Sequence, residues 1–210
     1  MRRHTLSAFL YRKSGILLLS LLFLQACNNN STSSNTVKDS AATASIDSSD
    51  QPPAELSPTL TSIAPATSTA IKALVDNYLQ VKNDLAADHG KEAAAAAQTV
   101  YATLTSLDTT TLTPEQKTLY SKQASILKEQ SEKISSNTDI EQQRSHFALL
   151  SNATLVLVKG FGGGRTLYQD HCPMYNEDKG ADWLSETADI KNPYLGSKMP
   201  DCGTVEAKIK

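Results

Sequence analysis

The stretch Thr138–Gly164, TDIEQQRSHFALLSNATLVLVKGFGGG, is the part of the sequence that decides the fold. Thr138, followed three residues later by Glu141, forms a capping box that predicts the start of a helix. The glycines at 160 and 162–164 predict where that helix ends. Between them, side chains at helical spacing line one largely apolar face, namely Ile140, Phe147, Leu150, Thr154, Leu157, Val158 and Phe161. The segment is therefore predicted to be one long amphipathic helix that needs partners.

Three earlier segments supply helices of the same kind. Apolar side chains recur at helical spacing over residues 71–85 and again over 93–107. A third helix is predicted from Thr113-Pro114-Glu115-Gln116, where the proline takes the first helical position, to about Ser135. Four amphipathic helices with short connections favour an all-α, up-down four-helix bundle over residues 69–164.

Residues 165–210 differ from the bundle in composition. They contain the only tryptophan, Trp183, with three tyrosines and three prolines. A segment of this kind does not fold alone without a staple. We therefore expect an irregular C-terminal segment that packs on the bundle, with a helical turn at 182–185, held by a disulfide, a metal ion or both.

The N-terminus has the pattern of an export signal. Four basic residues precede a short apolar run that is too short to span a membrane, and the run ends in Leu24-Gln25-Ala26-Cys27. This ending resembles the lipobox of bacterial lipoproteins, which predicts a signal peptide over 1–26 and lipidation of Cys27. The alternatives are an ordinary signal peptide and a buried core helix. Residues 27–68 are rich in small polar residues and are expected to be a disordered tether. The predicted location is the periplasm, anchored by lipid in the cell envelope, with the outer membrane as the expected membrane.

The charge balance speaks against a nucleic-acid partner. The chain has 20 Lys and Arg against 22 Asp and Glu, a formal charge of −2. Removal of the predicted signal takes away four basic residues and leaves 16 against 22, or −6. Because affinity for phosphate depends on clustered Lys and Arg, an acidic chain of this kind is not expected to bind nucleic acid.

The C-terminal segment contains two motifs with sulfur ligands, His171-Cys172-Pro173-Met174 and Met199-Pro200-Asp201-Cys202-Gly203. Thiolate, thioether and imidazole are the ligands that Cu(I) prefers. The same two cysteines, in an oxidising compartment, form an even pair that predicts a structural disulfide. The sequence leaves both interpretations open, and they compete for the same two sulfur atoms.

Other chemistry has weaker support. His146, on the fourth helix, is a further candidate ligand, although a lone helical histidine is more often a surface residue. The glycine run Gly160–Gly164 does not have the spacing or the lysine of a phosphate-binding loop. No arrangement of a nucleophile with a base stands out, so we do not expect an enzyme.

Four motifs together resemble the DUF3347 family of Bacteroidetes over about residues 70–208. They are Ile140-Glu141-x-x-Arg144-x-His146-Phe147-x-x-Leu150-Ser151, Leu167-Tyr168-x-x-His171-Cys172-Pro173-Met174, Gly180-Ala181-Asp182-Trp183-Leu184-Ser185 and Ile190-Lys191-Asn192-Pro193-Tyr194-x-Gly196-x-x-Met199-x-x-Cys202-Gly203. Members of the family often have a histidine on the third helix, and this chain has none there.

The resemblance implies a secreted, helix-rich domain. Similar domains occur alone or fused to CusB-like periplasmic adaptors of heavy-metal efflux systems, which implies copper or another soft metal. By motif, the resemblance transfers six residues to this chain: Arg144, His146, Cys172, Met174, Met199 and Cys202.

We therefore expect a lipid-anchored periplasmic protein that binds Cu(I) and sequesters it or passes it to an efflux component. Cys172, Met174, Met199 and Cys202 would bind the ion, and His146 or His171 would complete the set. The alternative is an envelope interaction module in which Cys172 and Cys202 form a structural disulfide.

Overall fold

The computed structural model describes residues 52–210. The predicted signal peptide, the lipidation site at Cys27 and most of the predicted tether lie outside these residues. Four long helices follow one another along the chain: α1 Pro65–Ala86, α2 Gly90–Ser106, α3 Pro114–Ser135 and α4 Ile140–Phe161. Each packs on its neighbour in sequence, and α4 returns to α1. The predicted four-helix bundle is confirmed.

Helix ends follow local chemistry. The predicted capping box of α3 is present, since the Thr113 side chain accepts the Gln116 backbone N–H and the Gln116 side chain accepts the Thr113 N–H. At α4 the predicted cap is wrong by one residue. Asp139, and not Thr138, caps the helix, because its carboxylate accepts the backbone N–H groups of Glu141 and Gln142.

The expectation of an all-α fold is wrong for the C-terminal part. Residues before and after the bundle form a four-stranded sheet in the order β1-β4-β2-β3. Its strands are β1 Ala54–Leu56, β2 Leu167–Cys172, β3 Ala181–Ser185 and β4 Thr204–Ile209. The predicted helical turn at 182–185 is instead part of β3. The fold is mostly helical with a sheet.

The sheet has local and distant pairings. β2 lies antiparallel to both β3 and β4, with a bulge at Gln169 and Asp170. β1 lies parallel to β4, and Ala54 is in register with Ala207 from the other end of the described chain. Pairing between segments so far apart in sequence cannot be recognised from the residues of one short strand. For this reason the sequence predicted an irregular segment and not a sheet.

Part of the predicted tether belongs to the fold. Besides β1, the Thr59 and Leu60 backbone N–H groups donate to carbonyl oxygens at the end of α4, at 3.0 and 2.9 Å. Leu56, Leu60 and Ile63 pack against the core. These few apolar residues find their surface only in the folded domain, so the predicted boundary at residue 68 is too late.

Aromatic side chains join the bundle to the sheet. Tyr78 of α1 stacks on Phe147 of α4 with ring centroids 5.4 Å apart. The Phe147 ring packs on Tyr194. Trp183 from β3 packs on the same tyrosine in a T-shaped arrangement, with ring centroids 5.8 Å apart. All four rings are buried. Within residues 52–210, no helix combines the length and the apolar character needed to span a membrane.

Candidate functional site

The structure brings Cys172 and Cys202 together. Cys172 is the last residue of β2, and Cys202 lies in the turn that leads into β4, the strand next to it. Their Sγ atoms are 3.5 Å apart, and both are thiols in this structure. Two sulfurs at this distance can form a disulfide after a small movement or bind one soft ion together.

The two thiols have different surroundings. Cys172 is fully buried, whereas Cys202 is partly exposed. Partial burial raises the pKa of the Cys202 thiol, the Cys172 thiol raises it further, and a hydrogen bond from the Met174 backbone N–H lowers it. Cys202 is thus protonated in neutral solution, and a bound metal ion would have to displace its proton.

Met174 and Met199 lie beside the thiol pair in the backbone. The Met174 N–H contacts Cys202 Sγ, and the Met199 carbonyl accepts the Cys202 N–H at 3.3 Å. Their side chains are 50% and 39% exposed. Because both residues contact Cys202 through their backbones and are exposed, their thioethers are candidates to share a soft ion with the two thiols. We call Cys172, Cys202, Met174 and Met199 the sulfur cluster.

His171 is not part of this cluster. Adjacent residues of a strand point to opposite faces, so its ring lies on the other side of β2 from the Cys172 thiol. There its Nδ1 is 2.5 Å from Asp182 Oδ1, and its Nε2 lies over Gly180. Asp182 also accepts a hydrogen bond from Gln169. The histidine next to Cys172 in sequence is held in a separate polar group on the sheet.

His146 also has other partners. Its Nδ1 lies 3.0 Å from Gln130 Oε1 on α3. Burial and the nearby Lys133 lower its pKa. The sheet packs on α4 and α1, whereas this ring faces α3. Across residues 52–210, no three His, Cys, Asp or Glu side chains form a group that could hold a metal ion.

Arg144, on α4, is buried and hydrogen-bonds to three other parts of the fold. Its guanidinium is 2% exposed and donates to the carbonyl oxygens of Leu85 and Pro193, both at 3.0 Å. It also pairs with Asp88 and with Glu141. The hydrogen bond from Ser197 and the Arg144 charge lower the pKa of Asp88 to about 2. Arg144 therefore ties the end of α1 and the loop that leads to Cys202 onto α4.

Asn192 was not singled out by sequence and holds Cys202 in place. The buried side chain donates from Nδ2 to the Cys202 carbonyl at 2.6 Å, and its backbone N–H donates to the Pro200 carbonyl at 2.8 Å. Its Oδ1 accepts the N–H groups of Tyr194 and Leu195. One carboxamide thus closes the loop from 192 to 202. The Asn-Pro pair indicated only a turn there.

A buried charged group lies behind the sheet, on the α1 side. Lys82 is 1% exposed and pairs with Glu186 at 2.9 Å. Asp170 is fully buried, and neither of its carboxylate oxygens has a hydrogen-bond partner. Burial raises the pKa of Asp170 to about 7, although the positive charge of Lys82 acts against this shift. Ionisation of the Asp170 carboxyl therefore lowers the free energy of unfolding.

The family model described as "Protein of unknown function (DUF3347)" matches residues 74–166. The resemblance to the DUF3347 family is confirmed over these residues. The DUF3347 match covers most of the bundle, including Arg144 and His146, and ends before the sulfur cluster. No curated protein and no solved structure matches the chain.

Proposed function

We propose that this chain is a non-enzymatic envelope protein that binds a soft metal ion, Cu(I) in the first place, through the sulfur cluster. The observation behind the proposal is the 3.5 Å approach of Cys172 Sγ and Cys202 Sγ, with the exposed residues Met174 and Met199 in backbone contact with Cys202. Thiolates and thioethers select Cu(I) over harder ions, and methionine is not a usual ligand of zinc.

The donor set fits Cu(I) in number and in access. Cu(I) accepts few ligands and has no strict geometry to satisfy, so two thiolates with one or two thioethers suffice. Met174 and Met199 are exposed and Cys172 is buried, so an ion from solution would reach the methionines more readily than the Cys172 sulfur. His171 and His146 are bonded to Asp182 and Gln130, so the proposal no longer includes them as ligands.

The biological setting belongs to the same proposal. The signal-like N-terminus and Cys27 support a lipid-anchored protein in the periplasm, attached to the outer membrane. From there the protein would sequester the ion or pass it to a component of a metal-efflux system. The efflux partner is implied by the resemblance to domains that occur alone or fused to CusB-like adaptors.

Titration of the reduced chain with Cu(I) against a competing chelator tests the proposal. We expect one ion per chain, with no tight binding in Cys172→Ser or Cys202→Ser. Even residues that only support metal ligands change affinity by about 10–100-fold. Met174→Ala/Met199→Ala should therefore weaken binding by at least roughly tenfold. Leu149→Ala, which removes a 50% exposed apolar side chain on α4, is the matched control and should bind as the parent does.

A second candidate is an envelope interaction module with a structural Cys172–Cys202 disulfide. The same 3.5 Å distance supports it. Mass spectrometry of the protein isolated from the envelope without reductant separates the two. A complete disulfide together with no Cu(I) affinity after reduction would favour the module and reject the metal proposal.

A further inference from the structure

The two sulfurs of the pair differ in access. Cys172 is 0% exposed and belongs to the hydrophobic core cluster at the end of β2. Cys202 is partly exposed in the turn before β4. A molecule in solution can therefore reach the second sulfur without any opening of the fold, whereas the first is reached only through Cys202 or after local unfolding.

The surface around Cys202 is suited to an approaching sulfur compound. Pro173, Met174, Met199 and Pro200, which flank the two cysteines in sequence, are all apolar and exposed. The Met174 backbone N–H donates to Cys202 Sγ and helps to fix the position of that sulfur. Asn192 holds the Cys202 carbonyl, so the sulfur stays close to Cys172.

We infer that the pair is a redox switch that works in a fixed order, in which Cys202 exchanges with an external disulfide and Cys172 resolves the product. The inference concerns the same sulfurs as the proposed function but does not depend on metal binding.

The exchange is balanced in two steps. The Cys202 thiolate attacks one sulfur of the external disulfide, whose S–S bond breaks and releases a thiolate that takes up a proton. The Cys172 thiolate, 3.5 Å away, then attacks Cys202 Sγ and expels the second external thiolate, which is also protonated. Two electrons and two protons pass from the cysteine pair to the external disulfide, which leaves as two thiols. Reduction by an external dithiol follows the reverse path, again through Cys202.

The switch would also act on the proposed metal site, to the extent that the proposed function holds. Oxidation removes both thiolates and leaves Met174 and Met199 as the remaining soft donors. A Cu(I) ion held by four sulfurs would then have only two thioethers, so the oxidised chain would release it.

The test uses the full chain with Cys27→Ser, reduced and free of metal, with oxidised glutathione as the probe. We expect Cys172→Ser to form a stable mixed disulfide at Cys202, detected by mass spectrometry. Cys202→Ser should react at Cys172 at least about tenfold more slowly, because access controls the exchange rate. The chain with both thiols should end as the Cys172–Cys202 disulfide.

Equal or faster reaction at Cys172 would overturn the order.

Brief labelling of the reduced two-thiol chain with N-ethylmaleimide, followed by peptide mapping, gives the same answer without a substitution of Cys172 or Cys202. Most of the early label should be on Cys202, and early label on Cys172 would reject the inference. Because the experiments contain no copper, a failed Cu(I) titration leaves their outcome unchanged.

Discussion

The helix bundle and the C-terminal sheet differ in what defines them. Each helix is defined by residues close to it in sequence, such as Thr113 and Gln116 at the start of α3. The sheet and the loop before β4 depend on contacts between distant parts of the chain, such as Arg144 with Pro193 and Asn192 with Cys202. The sulfur cluster lies entirely in the second region. Its geometry should therefore be more sensitive to single changes than the bundle is.

The largest effect is expected for Arg144→Ala. The change leaves Asp88 and the carbonyl oxygens of Leu85 and Pro193 without their buried partner. The two carbonyl oxygens that lose their donors cost about 1–3 kcal/mol each, whereas Asp88 is 37% exposed and its unpaired charge adds little. Urea unfolding measures the free energy of unfolding. Lys133→Ala, which breaks an exposed pair with Glu129, is the control and should cost less than about 1 kcal/mol.

The next largest effect on the free energy of unfolding is expected for oxidation of the thiol pair. A Cys172–Cys202 disulfide closes a loop of about 30 residues, which stabilises a chain by about 3–4 kcal/mol in the loop-entropy model. Comparison of oxidised and reduced chains by urea unfolding checks this. No gain would mean that the loop in the reduced, unfolded chain is already constrained or that the bond strains the sheet.

The buried carboxyl of Asp170 predicts that the free energy of unfolding depends on pH. Its pKa is raised from 3.8 to about 7 in the folded state, so the folded chain binds its proton more tightly than the unfolded chain. This contribution to stability is fully present below about pH 4 and is lost as pH rises through 7. Asp170→Asn should therefore stabilise the chain at pH 8 relative to the parent, on the order of 2–4 kcal/mol.

At pH 4 the Asp170→Asn variant and the parent should have nearly the same free energy of unfolding. A gain of equal size at both pH values would show that packing, and not ionisation, is responsible. The substitution leaves both members of the neighbouring Lys82–Glu186 pair in place, so the parent and the variant carry the same two additional charges.

The smallest of these effects on overall stability is expected for Asn192→Ala. It removes a buried side chain that bonds Cys202, Tyr194 and Leu195, and unpaired buried groups cost about 1–3 kcal/mol. Hydrogen exchange should rise in the loop from 192 to 202 while α3 is unchanged. A uniform rise across α3 as well would contradict the separation of the two regions.

The same difference explains how much the sequence predicted. The bounds of α3 follow from Thr113, Pro114 and the apolar spacing behind them, and the structure confirms them. The sheet was missed because β4 is only Thr204–Ile209 and pairs with β1 from the other end of the domain. Local pattern does not contain that information.

The site was predicted in the same uneven way. Residue type alone brought Cys172, Cys202, Met174 and Met199 to attention, and the structure places the two thiols in contact. Adjacency in sequence suggested His171, but strand alternation turns it to the other face. Asn192 and the structural position of Arg144 needed three-dimensional contacts to be seen.

X-ray absorption spectroscopy at the copper edge of the reduced, Cu(I)-loaded chain tests the central claim most directly. We expect one copper ion per chain with sulfur as its nearest neighbour and no imidazole nitrogen. We also expect the same spectrum for His146→Ala and His171→Ala. A nitrogen-containing shell, or no stoichiometric copper at all, would contradict this claim.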